Sequence, residues 1–409
     1  MESCLPTSGE KYDGHFPFFR QPTKVGEFSL DEKRDFHHNN CQKKYISWPL
    51  KRPLDDGQSV DVHFDLNLLL DRAVRKDDSQ LDERLDNLLK WILKNQEKFK
   101  LQDRKASFNS LSTDFVCYRG LITKLMATPY ENREPWIICA TKWRGTIYLC
   151  AFDTEQKIAD RQRETPRQKA MSSWGYKFEQ YMMSDSPGAA PDPHTPAVES
   201  AEFCCVLRSR LGRHSVVYGA EVDGVDPHRE DSDGLSMAQF VELKTSREVE
   251  TPRQRNSLQR FKMLKWWAQS FLVGIERVVV GFRDDDGTVH RLHAYATKQL
   301  PKEQVRNQHQ AAAERTGSLV QEASGEKLFA QQLPKQQDFW SPSVCMNFAA
   351  AFLAWAAEQV TDDDPRAVWR FEFEPRRRRV TCQSLGRTER YRILPDWYTE
   401  NVFRPGPDA

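Results

Sequence analysis

Several things are missing from this sequence, and each absence excludes a class of protein. No continuous apolar run reaches the ~20 residues that a membrane-spanning helix needs. The first residues, MESCLPTSGEKYDG, lack a basic segment followed by an apolar one, so no secretory signal is expected there. The cysteines number nine, and no two are spaced C-x-x-C. That argues against a zinc knuckle or a disulfide framework and for a reducing, intracellular setting. No G-x-G-x-x-G fingerprint is present, so the usual dinucleotide cradle is not expected. Charge of one sign is also lacking: 60 Lys and Arg against 59 Asp and Glu leave a net +1. Such a balance does not advertise a nucleic-acid binder, although a polyanion needs only a local basic surface. No internal repeat is visible.

What is present is core-forming material. Hydrophobic residues make up 39% of 409, with 11 Trp and 23 Phe, enough for one large domain or two modest ones. Leu81, Leu85, Leu88, Leu89, Ile92 and Leu93 recur at helical spacing across 79–99, with Ser79 as a candidate N-cap. Short β-like runs follow at 113–118, 136–140 and 145–152. A Lys/Arg/Gln-rich stretch, 156–172, leads to a helix expected over 173–184, and the turn-rich 185–200 reads as a loop. Strand-like runs at 203–208, 215–223, 239–245 and 277–282 surround an amphipathic segment at 256–272. Residues 301–335, rich in Gln, Glu and Ala, read as an exposed insertion. Pro342 opens an apolar helix to about Val360, and strand-like runs are expected near 367–373 and 390–394. Arg376 to Arg379 form the clearest basic run, and a solvated turn between two strands accounts for it. The fold class expected is α+β or mixed α/β, with central mixed β-sheets flanked by helices. One domain over 16–398 is expected, with a flexible segment at 1–15 and a flexible tail at 399–409.

The chemistry is concentrated in two short acidic triplets, Glu221-Val222-Asp223 and Glu242-Leu243-Lys244, each closing an apolar run. Side chains at i and i+2 of a strand share a face. If the two strands are neighbours, three carboxylates and one ammonium converge. Carboxylates that close resist ionising together, and a divalent cation removes the penalty. An acid from one strand and acid-x-Lys from the next fit the loose pattern of the PD-(D/E)-x-K nuclease core. Such pairs also arise by chance on solvent-facing strands. Glu179, among Trp174, Tyr176, Phe178 and Tyr181, is either a further ligand or a solvated helix-face residue. Arg119, at the end of FVCY, is either functional or a surface ion-pair former. Gln269, within KWWAQSF, is either functional or a core polar group.

Longer blocks narrow these alternatives. Tyr118-Arg119-Gly120, Thr128-Pro129-Tyr130-Glu131, Gly175-Tyr176-Lys177-Phe178-Glu179-Gln180-Tyr181-Met182 and Val206-Leu207-Arg208-Ser209-Arg210-Leu211-Gly212 come first. Val241-Glu242-Leu243-Lys244-Thr245-Ser246, Leu264-Lys265-Trp266-Trp267-Ala268-Gln269-Ser270-Phe271, Pro342-Ser343-Val344-Cys345-Met346-Asn347-Phe348 and Pro395-Asp396-Trp397-Tyr398 follow. In this order they resemble the decapping exoribonuclease family, the DXO type found in animals, from about Phe16 to Tyr398.

The resemblance implies a metal site of Glu179, Glu221, Asp223 and Glu242, with the backbone carbonyl of Leu243 as a further ligand. It implies that Lys244 and Gln269 contact the nucleophilic water and the scissile phosphate. Arg119 is expected either to touch substrate phosphate or to brace the acids. The implied cofactors are Mg²⁺ or Mn²⁺, two ions, with no redox cofactor. The implied activity removes incomplete, unmethylated and NAD-type caps from RNA 5′ ends, releases pyrophosphate from 5′-triphosphate RNA, and degrades 5′-monophosphate RNA 5′ to 3′. It further implies a nuclear monomer that needs no exonuclease partner, although some relatives bind one. A DNA-acting nuclease of the same core and a non-catalytic RNA 5′-end binding or scaffold protein are the alternatives.

Overall fold

The computed structural model describes residues 3–76, 83–102, 109–229, 236–303 and 339–403. Two large sheets carry the architecture of those residues. The first runs in the order Cys4–Pro6, Arg379–Arg387, Ala367–Glu374, Trp136–Trp143, Thr146–Phe152, Phe115–Tyr118, His214–Glu221, Glu202–Leu211, Phe19–Leu30 and Phe36–His37. Phe115–Tyr118 is parallel to both its neighbours, and the other pairings are antiparallel. The second sheet runs Met183–Ser184, Tyr45–Ile46, Gly224–Val225, Phe240–Arg247, Arg277–Arg283, Thr288–Ala296 and Ser59–Asp65. The Arg277–Arg283 strand, RVVVGFR, is buried at every position, as a central strand covered on both faces must be. Mixed sheets flanked by helices are what the sequence pattern leads one to expect.

The helices Arg119–Ala127, Leu264–Val273 and Pro342–Gln359 share one core with a face of each sheet. The helix Asp86–Lys94 backs the opposite face of the first sheet. The helix Pro166–Met182 backs the opposite face of the second. No helix among the described residues is long and apolar enough to cross a membrane.

Several boundaries differ from the sequence expectation, each for a local reason. The helix expected over 173–184 begins at Pro166, because Thr165 and Gln168 form a reciprocal capping box with Pro166 in the first turn. A separate helix, Glu155–Gln162, capped by Thr154, occupies part of the basic stretch before it. The strand expected to include Asp223 ends at Glu221. The 390–394 run forms no strand; the partner of Ala367–Glu374 is Arg379–Arg387, and the basic run makes the exposed turn between them. The segment expected to be flexible at 1–15 is tied down: Cys4–Pro6 extends the first sheet, and Tyr12 is buried against Phe348. The tail expected from 399 is ordered through Phe403, since Val402 and Phe403 join the core behind the first sheet. Ser79, Leu81 and 304–335 of the expected insertion lie outside the described residues.

Candidate active site

The chain crosses from one sheet to the other at the acidic triplet. Glu221 closes the His214–Glu221 strand of the first sheet, and Gly224–Val225 opens the crossing into the second. The strands that end in Glu221 and carry Glu242 are therefore not neighbours in one sheet. Gly224–Val225 joins them, pairing antiparallel with Phe240–Val241 at the start of the Phe240–Arg247 strand. Asp223 sits in the crossing, and its Oδ2 accepts from the Leu243 backbone N–H at 2.5 Å. That bond fixes Asp223 beside Glu242 and Lys244.

Two glycines let the remaining groups approach. A Cβ at Gly281 would stand 2.6 Å from the Phe178 ring, so only glycine lets the Pro166–Met182 helix lie this close to the sheet with Glu179 next to Phe178. A Cβ at Gly219 would stand 2.8 Å from the Tyr118 ring, and Tyr118 leads directly into Arg119. Arg119 opens its helix buried, and its Nη2 donates to the Glu221 carbonyl at 2.9 Å. It therefore braces the backbone of an acid. Glu179, Glu221 and Asp223 line one cavity of about 800 Å³, together with Tyr176, Phe203 and Glu202.

The electrostatics separate the acids into two kinds. Burial, then Asp223 and Glu221, push the Glu179 carboxyl well above the usual carboxylate range. Burial, then Glu202 and Asp223, push Glu221 up to about 8. Water reaches Glu221 from the cavity, yet protein surrounds it closely enough for burial to dominate. Burial, then Glu242, push Asp223 up to about 6. Glu242 behaves oppositely. Burial alone would raise it, but the Lys244 ammonium at 2.6 Å and Arg119 hold it below its ordinary value. Lys244 is raised in turn: burial disfavours its charge, and Glu242 and Asp223 more than offset that.

These features bear on whether a cation fits. Glu242 is 2% exposed, and its Oε2 has no hydrogen-bond partner. Hard oxygen donors, one of them orphaned, beside carboxyls that repel one another suit a divalent ion such as Mg²⁺ or Mn²⁺. Among the described residues no three His, Cys, Asp or Glu side chains already close around one point. The acids share a field rather than a finished cage.

Glu179, Glu221, Asp223, Glu242, Lys244 and Arg119 are thus brought into one electrostatic unit. Gln269 stands half-buried on the Leu264–Val273 helix, and no hydrogen bond among the described residues joins it to the acids. Sequence reasoning missed Glu202, the largest charged influence on Glu221. Glu202 is held by Arg34 at 2.7 Å and by Lys76. Only the pairing of Cys204 with Glu221 across adjacent strands brings it there, and no spacing in the sequence signals that.

Comparison with known proteins agrees with this arrangement. The family model described as RAI1 like PD-(D/E)XK nuclease matches residues 20–399. The chain belongs to this family. It is 38% identical over 403 residues to the Decapping and exoribonuclease protein of Homo sapiens, covering 98% of this chain and 91% of that one. A Drosophila melanogaster relative, Decapping and exoribonuclease protein Rai1, is 33% identical over 292 residues, 69% of this chain and 75% of that one. Among solved structures, Candida albicans Rai1 in complex with pU5-Mn²⁺ aligns with a TM-score of 0.75 at 19% identity, covering 98% of this chain and 99% of that one. Scheffersomyces stipitis Rai1 in complex with (3′-NADP)⁺ and calcium aligns with a TM-score of 0.71 at 22% identity, covering 98% and 94%. At those identities the likeness is one of fold. The PD-(D/E)XK nuclease core expected from the acidic triplets is the family's own.

Proposed function

We propose that this RAI1-like chain is a divalent-metal-dependent RNA 5′-end hydrolase. It removes incomplete, unmethylated and NAD-type caps, releases pyrophosphate from 5′-triphosphate RNA, and degrades 5′-monophosphate RNA 5′ to 3′. The observation that carries the reading is the convergence of Glu179, Glu221, Asp223, Glu242 and Lys244 where the two sheets meet, with three of the acids on one cavity. The names of its relatives favour decapping and exoribonuclease chemistry. A fold relative described with pU5 and Mn²⁺, and another with (3′-NADP)⁺, favour an RNA end and a dinucleotide cap as substrates.

Glu179, Glu221, Asp223, Glu242 and the Leu243 carbonyl would hold the ions in this reading. When bound, divalent ions lower the pKa of a water and neutralise phosphate charge. Glu242 is ionised before any ligand arrives, because Lys244 and Arg119 hold its proton off. Glu179 and Glu221 tend to keep theirs, so they ionise as the site fills. Lys244 stays protonated and can donate to the nucleophilic water or to a phosphate oxygen. Gln269 completes the contacts to the scissile phosphate. Each proposed reaction attacks a phosphorus near the RNA 5′ end, so one site serves all.

The test uses 5′-end-labelled RNAs carrying an NAD cap, an unmethylated guanosine cap, a triphosphate or a monophosphate, with Mg²⁺ or Mn²⁺. Wild type is compared with Glu221→Ala plus Asp223→Ala. Release of intact cap species by wild type alone is the expected result. Shortening of monophosphate RNA alone leaves an exonuclease without decapping activity. DNA of equal sequence is run beside the RNA; equal cutting of it makes the chain a DNA-acting nuclease, and no cleavage with either metal leaves a 5′-end binding protein.

A further inference from the structure

The strand that carries Glu242 and Lys244 continues past them, and its far end is also built. Glu242, Lys244 and Ser246 share one face of Phe240–Arg247, by the two-residue repeat of a strand. Ser246 therefore stands about 7 Å beyond Lys244 along the strand. Over Ser246 lies Lys262, whose Nζ donates to the Ser246 hydroxyl at 3.2 Å. No carboxylate pairs with Lys262 among the described residues. Burial, with the Arg283 guanidinium adding to it, pushes this ammonium down to about 8, although the residue remains open to solvent.

Lys262 sits in an unusual stretch of backbone. Leu258–Met263 is a π-helical turn inserted between the helices Pro252–Ser257 and Leu264–Val273. Such turns are rare, and they re-aim side chains relative to a regular helix. Beside Lys262 the turn presents Phe261, 40% exposed, with the Arg260 guanidinium 5.3 Å from its ring centroid. A lysine without a counter-charge, an arginine and an open aromatic ring together match what a single-stranded polyanion with flat bases requires.

We infer that the π-turn Leu258–Met263 and the end of the Phe240–Arg247 strand form a track for the RNA downstream of the scissile phosphate, with Lys262 on a backbone phosphate and Phe261 stacked on a base. The inference rests on the proposed RNA 5′-end reading and adds a direction: the strand leads the RNA from Lys244 past Ser246 to the π-turn. Lys262 and Phe261 are then determinants of substrate length.

The experiment measures binding of a length series of 3′-labelled, 5′-monophosphate oligouridylates by fluorescence anisotropy, with metal chelated so that nothing is cut, and repeats it over a range of salt. For Lys262→Met the expected result is a Kd ratio to wild type that rises with RNA length, reaching about tenfold. The slope of log K against log salt should be shallower by about 0.7, the share of one single-strand phosphate contact. Lys262→Arg keeps most of the affinity. Phe261→Ala loses about tenfold on the longer RNAs. Lys262→Met also removes the hydrogen bond to the buried Ser246 hydroxyl and so lowers the melting temperature slightly; the length and salt dependence of binding, which a purely structural lysine would leave unchanged, separates the two roles. Unchanged affinity and salt slope at every length overturn the track, as does an equal loss at all lengths. The two readings fail separately: wild type that binds long RNA by this track but cuts nothing refutes the hydrolase and spares the track. Cleavage indifferent to Lys262 and Phe261 does the reverse.

Discussion

Asp223 and Asp226 are three residues apart, and their surroundings are opposite. Asp226 is fully buried among donors and cations. The Trp48 indole donates to it at 3.3 Å, the His228 backbone N–H at 3.1 Å, and the Arg277 guanidinium lies 3.7 Å away. Asp223 has one backbone donor and a set of other acids, whose repulsion and the cost of burial Lys244 and Arg119 offset only in part. The first carboxylate is met by the fold's own donors and a cation, although its Oδ2 makes no hydrogen bond, so its charge serves stability. The second is left incomplete, and only something from outside can complete it. A buried acid is thus no pointer to function by itself; the sign of its neighbours is.

The largest effect that would sharpen this contrast is catalytic. Glu221→Ala plus Asp223→Ala is expected to lower cleavage of every RNA substrate by about 10³-fold or more, read from single-turnover rates. Asp226→Ala should do the reverse. It strips Arg277 of a buried partner and destabilises the protein by about 3 kcal/mol in denaturant melts, while activity per folded molecule survives. If Asp226→Ala abolished activity in folded protein, the division between the two acids would collapse.

Metal addition comes next. Mg²⁺ or Mn²⁺ at a hundredfold excess over its Kd should stabilise wild type by about 2.7 kcal/mol, seen as a rise in Tm. It should do nothing for the triple variant Glu179→Gln, Glu221→Gln, Asp223→Asn. In metal-free protein at neutral pH Glu179→Gln should itself stabilise, by roughly 1 kcal/mol or more, because folding then no longer has to protonate a buried carboxyl whose pKa is raised. A fall in Tm would mean that the acids are already satisfied.

The smallest effect concerns His293, another group without a counter-charge. Burial, then Arg291, push its pKa down to about 4 from an ordinary 6.5. The unfolded chain then takes up this proton before the folded chain does. The contribution of neutral His293 is complete above about pH 6.5 and is lost as pH falls toward about 4. The pH profile of wild-type stability should be steeper across that window than that of His293→Gln, measured by urea melts at each pH.

Much of this contrast was legible in the sequence. The nuclease core, the mixed sheets and the long apolar helix at Pro342–Gln359 follow from runs and blocks that stand close together in the chain. Thr165-Pro166-Arg167-Gln168 even carried its capping box openly, and only the pull of the apolar residues after 173 hid the true start of that helix. What was not legible depends on which sheet a strand joins. Glu221 and Asp223 look like one strand, yet the chain changes sheets between them, because Gly224–Val225 pairs with Phe240–Val241. Glu202 was invisible for the same reason: its neighbour Glu221 comes from strand pairing, not from spacing. Gln269 was legible as a motif, but the helix that carries it gives no bond to the acids to confirm its part.

The crossing between the sheets has a consequence for when the protein becomes active. Glu221 belongs to one sheet and Glu242 to the other, and the second strand is held in place by Arg277–Arg283. Neither sheet alone therefore carries the whole acidic group. The first sheet also takes in Ala367–Glu374 and Arg379–Arg387, so the two halves can dock in their final form only after nearly the whole chain has emerged. The acidic group thus forms only with the closing of the fold, and on the proposed function an unfinished chain lacks the means to cut.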